Sequence, residues 1–367
     1  MTQTVYGPVP GQERALAMVS RARQRNRLGH ALLIVGPNGV GKIALALEIA
    51  RQRHCTSPGE NACQECAICR RITLLGHPDV FVATPLARKD SDQGEILERL
   101  RKDLYAPVDG GGSAKVFIGQ IRDLNRWANM QAFEGHKTAI VCNADHLRDD
   151  AANALLKTLE EPPDDTLILL TAEKPHALLP TIRSRGQIVQ CSPLSSEAVA
   201  TILRARGFAE TEATSLAQVA AGSVHQALTA AGDQGSDGGI DPRENGLAML
   251  NLGLSGPPHL IVEKAENVGR SSSSEELDRM LAWMLLWLRD VWSVHCQSAD
   301  SLANADRVED VYKLSEKIDI PLATYMAEKV ETVQEILSRN VSPAAAISDL
   351  ILSEYSSARR GVPIAER

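Results

Sequence analysis

The N-terminal half of the chain predicts an α/β fold: a parallel sheet built around a phosphate cradle, interrupted by a cysteine-rich insertion and followed by helix alone. Three observations carry this reading. Apolar runs of strand length alternate with helix-period segments from 30 to 192, which implies a parallel sheet covered on both faces. One strand-to-helix junction, LLIVGPNGVGKIALALEIA at 32–50, is glycine-rich, and four cysteines follow shortly after it.

Within that junction Leu32 to Val35 read as a buried strand, and Gly36, Gly39 and Gly41 permit a tight loop. From Ile43 to Ala50 a helix begins, with Leu45 and Ile49 four apart. Such a loop aims backbone N–H groups, a helix N-terminus and Lys42 at one anion, so Gly36, Asn38, Gly39, Val40, Gly41 and Lys42 are the candidate nucleotide-binding residues. The pattern follows the P-loop motif G-x-x-x-x-G-K-[ST] up to its last position, where Ile43 replaces the hydroxyl that would hold Mg²⁺. A metal bridging the β and γ phosphates then lacks one ligand. The P-loop is degenerate: ATP or ADP binding is expected to be weak or absent, and a loop kept for its shape alone is the competing reading.

The second half of a metal site is missing too. KTAIVCNADHL supplies a short strand, Thr138 to Val141, whose end in a working P-loop ATPase carries carboxylates for the metal and for water. Here those positions hold Cys142 and Asn143. Asp145 lies beyond the strand and serves only if the loop turns back; a solvent-facing aspartate at a helix start is the blander reading.

Cys55, Cys63, Cys66 and Cys69 form a C-x7-C-x2-C-x2-C array. Four soft ligands at this spacing fit a closed tetrahedral Zn²⁺ site, structural because no coordination position is left for water. Residues 11–28 read as a helix whose arginines, Arg21, Arg23, Arg25 and Arg27, either meet phosphate or simply face solvent. Residues 85–115 read as an exposed connection without chemistry; FIGQIRDLNRWANM resumes helical spacing. AANALLKTLEEPPDD is a helix stopped by Pro162 and Pro163, TLILLTAE a third strand, and HALLPTIRSRGQIVQ a short helix entering a fourth.

Length and charge set outer bounds. A chain of 367 residues suggests two or three domains, and a formal charge of −7 gives no global pull towards nucleic acid, so any such contact needs a local basic patch. No apolar run reaches the roughly 18 residues that span a bilayer, and the start MTQTVYGPVPGQE has no signal-peptide pattern; a cytoplasmic protein without membrane contact is expected. In a reducing compartment the seven cysteines read as metal ligands or buried thiols, Cys191 and Cys296 among the latter.

HALLIVGPNGVGK, the four-cysteine insertion, HPD at His77 to Asp79, AANALLKTLEEPP at 151–163 and IRSRG at 182–186 together resemble the bacterial DNA polymerase III clamp-loader AAA+ subunits over most of residues 1–195. The family holds gamma or tau motor subunits, which hydrolyse ATP, and a subunit type that keeps the fold with a degraded site. Ile43, Cys142 and Asn143 resemble the second type, as does His225, which stands where motor subunits carry a sensor arginine. By this resemblance Arg185, in Ser184-Arg185-Gly186, is an arginine finger acting in trans, with Arg183 its rival; Gly186 departs from the family's cysteine. Lys157 is a candidate phosphate contact.

The resemblance implies an AAA+ P-loop domain over 1–192 with its zinc module at about 54–71, a small helical lid at 193–232, a linker at 233–242 and an all-α collar at 243–367. Ser195 reads as the N-cap of the first lid helix. Trp283, Met284 and Trp287 at helical spacing read as a core stripe of the collar. The implied partners are gamma/tau and delta subunits and, through the complex, the sliding clamp and primer-template DNA. The expected role is a non-catalytic assembly subunit; a motor subunit with a divergent site and a stand-alone zinc DNA-binding protein are the alternatives.

Overall fold

The computed structural model describes residues 9–360 except 26, 58, 60, 89–92, 106–113, 232–241, 273, 297–301, 305–306 and 338–341. The chain divides into two compact units, Met1–Ala213 with Ala220–Gln226, and Thr214–Val219 with Ala227–Arg367.

The first unit begins with α1 (Glu13–Gln24), β1 (Ala31–Val35), α2 (Lys42–His54) and α3 (Ala67–Thr73). It continues through β2 (Val80–Ala83), α4 (Gln93–Lys102), α5 (Ile118–Ala128) and β3 (Lys137–Val141). After these come α6 (Asp149–Glu160), β4 (Thr166–Ala172), α7 (Pro180–Arg183), β5 (Gln187–Gln190) and α8 (Ser196–Ala205). The strands form one sheet in the order β2-β3-β4-β1-β5, and every pairing is parallel.

Strand alternation sorts the core into two layers. Leu32 and Ile34 point to one face, with Leu16, Leu45, Ile72 and Leu100, while Ala31, Leu33 and Val35 point to the other, with Ile121, Leu124, Leu155 and Ile182. All five residues of β1 are buried, as a central parallel strand requires. α2, marked in the sequence by Leu45 and Ile49 four apart, is buried nearly all round.

Residues 85–115 correct the sequence reading. Gln93–Lys102 is a helix, and Ile96, Leu97, Leu100 and Tyr105 pack into the α2 layer. Its apolar positions fall three and four apart, but they lie among so many charges that the periodicity is diluted. The DGGGS part of that segment lies outside the described residues.

Ser195 caps α8 as expected, its Oγ accepting from the Ala198 N–H at 3.2 Å. Two more helices follow, α9 (Glu210–Val219) and α10 (Val224–Ala231). The expected linker lies outside the described residues up to Asp241, and Pro242 already opens a helix, as proline does at a first helical position.

The second unit is helical: α11 (Pro242–Ser255), α12 (Pro258–Ser271), α13 (Ser274–His295), α14 (Val308–Ser315), α15 (Ile320–Leu337) and α16 (Pro343–Arg360). Its core runs along α13 through Leu277, Leu281, Met284, Trp287 and Val291, spaced as one face of a long helix. One charge is taken inside with them: Asp290 accepts N–H bonds from Ala303 and Asn304, 2.8 Å each, which satisfies the buried carboxylate. Cys296 differs from expectation and is exposed just past the last turn of α13. Among the described residues no helix is long and apolar enough to cross a membrane.

Candidate functional site

The phosphate cradle is the turn between β1 and α2. Gly39 and Gly41 adopt φ of +74° and +88°, a left-handed backbone that a side chain would strain. Space is as restrictive as conformation. A Cβ on Gly39 would stand 2.1 Å from Ser223 Oγ and 2.7 Å from His225 Cβ, and Val224 N–H donates to the Gly39 carbonyl at 3.0 Å. A Cβ on Gly41 would stand 2.8 Å from the Tyr105 ring. The turn before α10 and the segment after α4 therefore both pack directly on the loop.

Lys42 is buried and donates to the loop's own carbonyls, Gly36 O at 2.9 Å and Pro37 O at 2.7 Å. Its ammonium shares these bonds with the backbone that would cradle an anion. The neighbouring Ile43 is buried apolar surface, Cys142 is fully buried, and burial pushes its thiol up to about 12. Asn143 takes a left-handed turn with φ +47° and its N–H donates to Thr171 Oγ1 at 2.9 Å.

Asp145 lies just past β3, where its carboxylate is engaged by backbone. Its Oδ2 accepts from the Glu173 and Lys174 N–H groups, 3.1 and 2.8 Å, so the carboxylate ties the β3 end to the turn after β4. Asp145 does stand in the first turn of a short helical segment, Ala144–His146, and is partly exposed. Oδ1 is buried without a partner.

Tyr105, which sequence reasoning passed over, is held by a small network. Its N–H donates to Asp103 Oδ1 at 2.8 Å, Asp103 pairs with Arg206 at 2.5 Å, and the Arg206 guanidinium lies 5.5 Å from the Tyr105 ring centre. Burial outweighs the neighbouring guanidinium and pushes the Tyr105 phenol up to about 12. No local motif announces this network, since its members are separated by about a hundred residues.

The four cysteines come together. Cys55, Cys63, Cys66 and Cys69 each offer a sulfur within 4.8 Å of all the others. N–H groups of Cys63, Cys66 and Cys69 donate to the sulfurs of Cys55, Cys63 and Cys66 at 3.4, 3.4 and 3.3 Å. Such bonds stabilise thiolates: at Cys66 burial pushes the thiol up, but N–H donors from Cys69 and Thr56 outweigh it and bring it to about 6. A converging set of four soft donors fits a thiophilic divalent metal. The insertion is fastened to α2 by a buried carboxylate: Glu48 pairs with Arg51 at 2.8 Å and accepts from Ala62 N and Gln64 Nε2 at 3.2 and 2.9 Å.

His77 and Asp79 of the HPD motif are structural. The Asp79 carboxylate accepts the Phe133 and Glu134 N–H groups at 2.9 and 2.7 Å. His77 Nδ1 accepts from Asp79 N–H, which leaves Nε2 protonated and donating to Glu134 at 3.1 Å. His54, His77 and Glu134 cluster closely enough to suggest a metal site, but this tautomer removes the lone pair that a metal would need.

Arg185 follows α7 and is partly exposed. Its Nη2 pairs with Glu160 Oε1 at 2.7 Å and its Nη1 donates to Thr181 O at 2.9 Å. Gly186 fits tightly against β1, where a Cβ would approach Leu33 Cβ to 3.1 Å. Arg183 and Lys157 are exposed.

A parallel sheet in the order β2-β3-β4-β1-β5, with a P-loop leaving β1 and a cysteine-clustered insertion after α2, makes this a P-loop AAA+ protein. The chain belongs to the family described as DNA polymerase III, delta subunit, which matches residues 11–195; the description DNA polymerase III, delta subunit, C terminal, matches 270–352. It is 33% identical over 189 residues to the DNA polymerase III subunit delta' of Bacillus subtilis, covering 51% of this chain and 50% of that one. It is 35% identical over 216 residues to the protein of the same name from Pseudomonas aeruginosa, covering 58% of each. The DNA polymerase III subunit tau of Bacillus subtilis is 29% identical over 251 residues, 68% of this chain and 38% of that one. The chain thus spans about half the length of the delta' relatives it matches.

Proposed function

We propose that this chain is a delta-prime-type subunit of a DNA polymerase III clamp loader, a cytoplasmic assembly subunit that does not hydrolyse ATP itself. The observation that carries the reading is the cradle: Lys42 bonded to its own loop, with Ile43 where a magnesium site needs a hydroxyl and Cys142 and Asn143 where it needs carboxylates. Tyr105 packed on Gly41 supports it, since the loop is walled by the protein's own ring. In this reading residues 1–192 are the AAA+ domain, 193–232 the lid, 233–242 the linker and 243–367 the collar through which subunits assemble. Cys55, Cys63, Cys66 and Cys69 hold structural Zn²⁺, closed to water by its four protein ligands. Arg185 is the arginine finger, offered to the ATP site of a gamma or tau neighbour, where it stabilises charge developing on the γ-phosphate. Gamma/tau and delta subunits are the direct partners, and the sliding clamp and primer-template DNA are met through the complex.

Reconstitution tests this. Mixed with gamma/tau and delta subunits, the chain should enter one complex by size exclusion and raise its ATPase rate, while alone it turns over no Mg·ATP. Turnover by the isolated chain that disappears in Lys42→Ala would instead establish the motor-subunit reading.

A further inference from the structure

The exposed side of α1 carries a stripe the proposed role does not use. Arg14, Met18, Arg21 and Arg25 stand at positions i, i+4, i+7 and i+11, so they share one helix face. With Arg27 and Gln187 of β5 they border an open groove of about 600 Å³. Arg14, Arg21, Arg25 and Arg27 are all exposed, and among the described residues none of the four makes a side-chain ion pair with a carboxylate. Among the described residues the one acidic side chain on the groove's edge is Glu13, whose Oε1 accepts the Gly11 N–H at 2.8 Å. In a chain with a formal charge of −7, four unneutralised guanidiniums on one groove are a local reversal of sign.

We infer that this groove binds the phosphate backbone of nucleic acid, without reading its sequence. The planar fork of arginine matches phosphate oxygens in pairs, and counterions released from the strand supply the free energy. Arg21 and Arg25 lie one helical turn apart, about 6 Å along the axis, a repeat on which successive backbone phosphates can be met. Among the described residues no aromatic side chain borders the groove, so the contact argued from them is electrostatic. A nucleic-acid strand repeats its charge at every unit, whereas an acidic peptide does so only where consecutive side chains are acidic, so the strand suits a row of arginines better. The choice of nucleic acid as occupant rests on the clamp-loader reading; the groove itself does not.

The test uses the full chain and a fluorescent primer-template DNA, with anisotropy followed as salt is raised. Binding should be weak at physiological salt, in the roughly 10⁻⁴ to 10⁻⁶ M range of sequence-independent contacts, and steeper in salt than for a one-charge contact. Arg21→Ala with Arg25→Ala should weaken it about tenfold or more at low salt and reduce the log–log salt slope by about 1.4 to 1.8, the counterions of two phosphates. Arg21→Lys with Arg25→Lys should retain most of the slope. Both sites are on the solvent side of α1, and circular dichroism of each variant checks the fold. An unchanged slope in the alanine variant, no binding at low salt, or an acidic polypeptide that competes as well as DNA would each overturn the inference. Entry of the same variants into the reconstituted complex is measured separately, so failure here leaves the assembly reading standing and failure of assembly leaves the DNA measurement standing.

Discussion

Arg185 and Glu160 form an ion pair at 2.7 Å that joins the turn after α7 to the C-terminal end of α6. The pair is half exposed on both sides, so solvent screens it and it holds the guanidinium in position more than it stabilises the fold. Glu160 belongs to the LEEPP end of α6, which makes the helix terminus a mount for the arginine.

Replacing Arg185 by alanine should therefore leave the chain folded and able to assemble while the complex loses ATPase activity. An arginine finger contributes roughly a thousandfold or more at the site it serves. Steady-state ATPase of the reconstituted complex, with size exclusion as the assembly control, reads this directly. Glu160→Gln should shift the unfolding free energy by no more than about 1 kcal/mol, as exposed pairs do.

Metal removal should act on the insertion first. Treatment with a strong chelator, or Cys63→Ser, should abolish about one equivalent of zinc per chain and cost several kcal/mol of stability, because closed thiolate sites contribute folding free energy. Metal analysis combined with thermal unfolding checks both halves of the expectation.

Thiol chemistry should follow burial. Cys296 is exposed, whereas burial pushes Cys142 up to about 12 and Cys191 up to about 11. In native metal-loaded protein an alkylating reagent should modify Cys296 at least roughly tenfold faster than either, since only the thiolate reacts. Peptide mapping over a time course measures the order.

Tyr105 should make the fold sensitive to alkali. Its folded value of about 12 stands above the ordinary tyrosine value of 10, so the folded state holds the phenol proton more tightly than the unfolded state does. That stabilisation is complete below about pH 10 and is lost as pH rises towards 12, amounting to about 2 to 3 kcal/mol. The difference in unfolding free energy between wild type and Tyr105→Phe should change by this amount across the window and stay flat below it.

Two glycines separate backbone strain from crowding. Gly39 and Gly135 both have positive φ, +74° and +87°, but only Gly39 has neighbours where a Cβ would go. Gly135→Ala should cost about 1 kcal/mol from strain alone, while Gly39→Ala adds the displacement of Ser223 and His225 and should cost about 2 to 4 kcal/mol. Chemical denaturation of the two variants makes the comparison.

The P-loop, the cysteine array and the parallel sheet were legible in the sequence because each is written in neighbouring residues. A glycine turn, an x2 ligand spacing and an apolar run of strand length act over a few positions, and local sterics or coordination dictate the result. The side chains at Ile43, Cys142 and Asn143, where a P-loop ATPase carries a hydroxyl and carboxylates, are read from the sequence in the same way. α4 was missed because its few apolar positions sit among charges, and Cys296 was misplaced because burial depends on what packs against a residue.

What the chain alone determined is therefore its chemistry by segment: a glycine-rich cradle followed by Lys42 and Ile43, a four-thiol insertion, an arginine after Ser184. Only the tertiary structure decided who meets whom. Lys42 turned onto the carbonyls of its own loop, Tyr105 packed on Gly41 and linked through Asp103 to Arg206, and Glu160 holding Arg185 are contacts across gaps of up to about a hundred residues. Such pairings arise from the order of strands and the closure of long loops, and no short-range pattern encodes them.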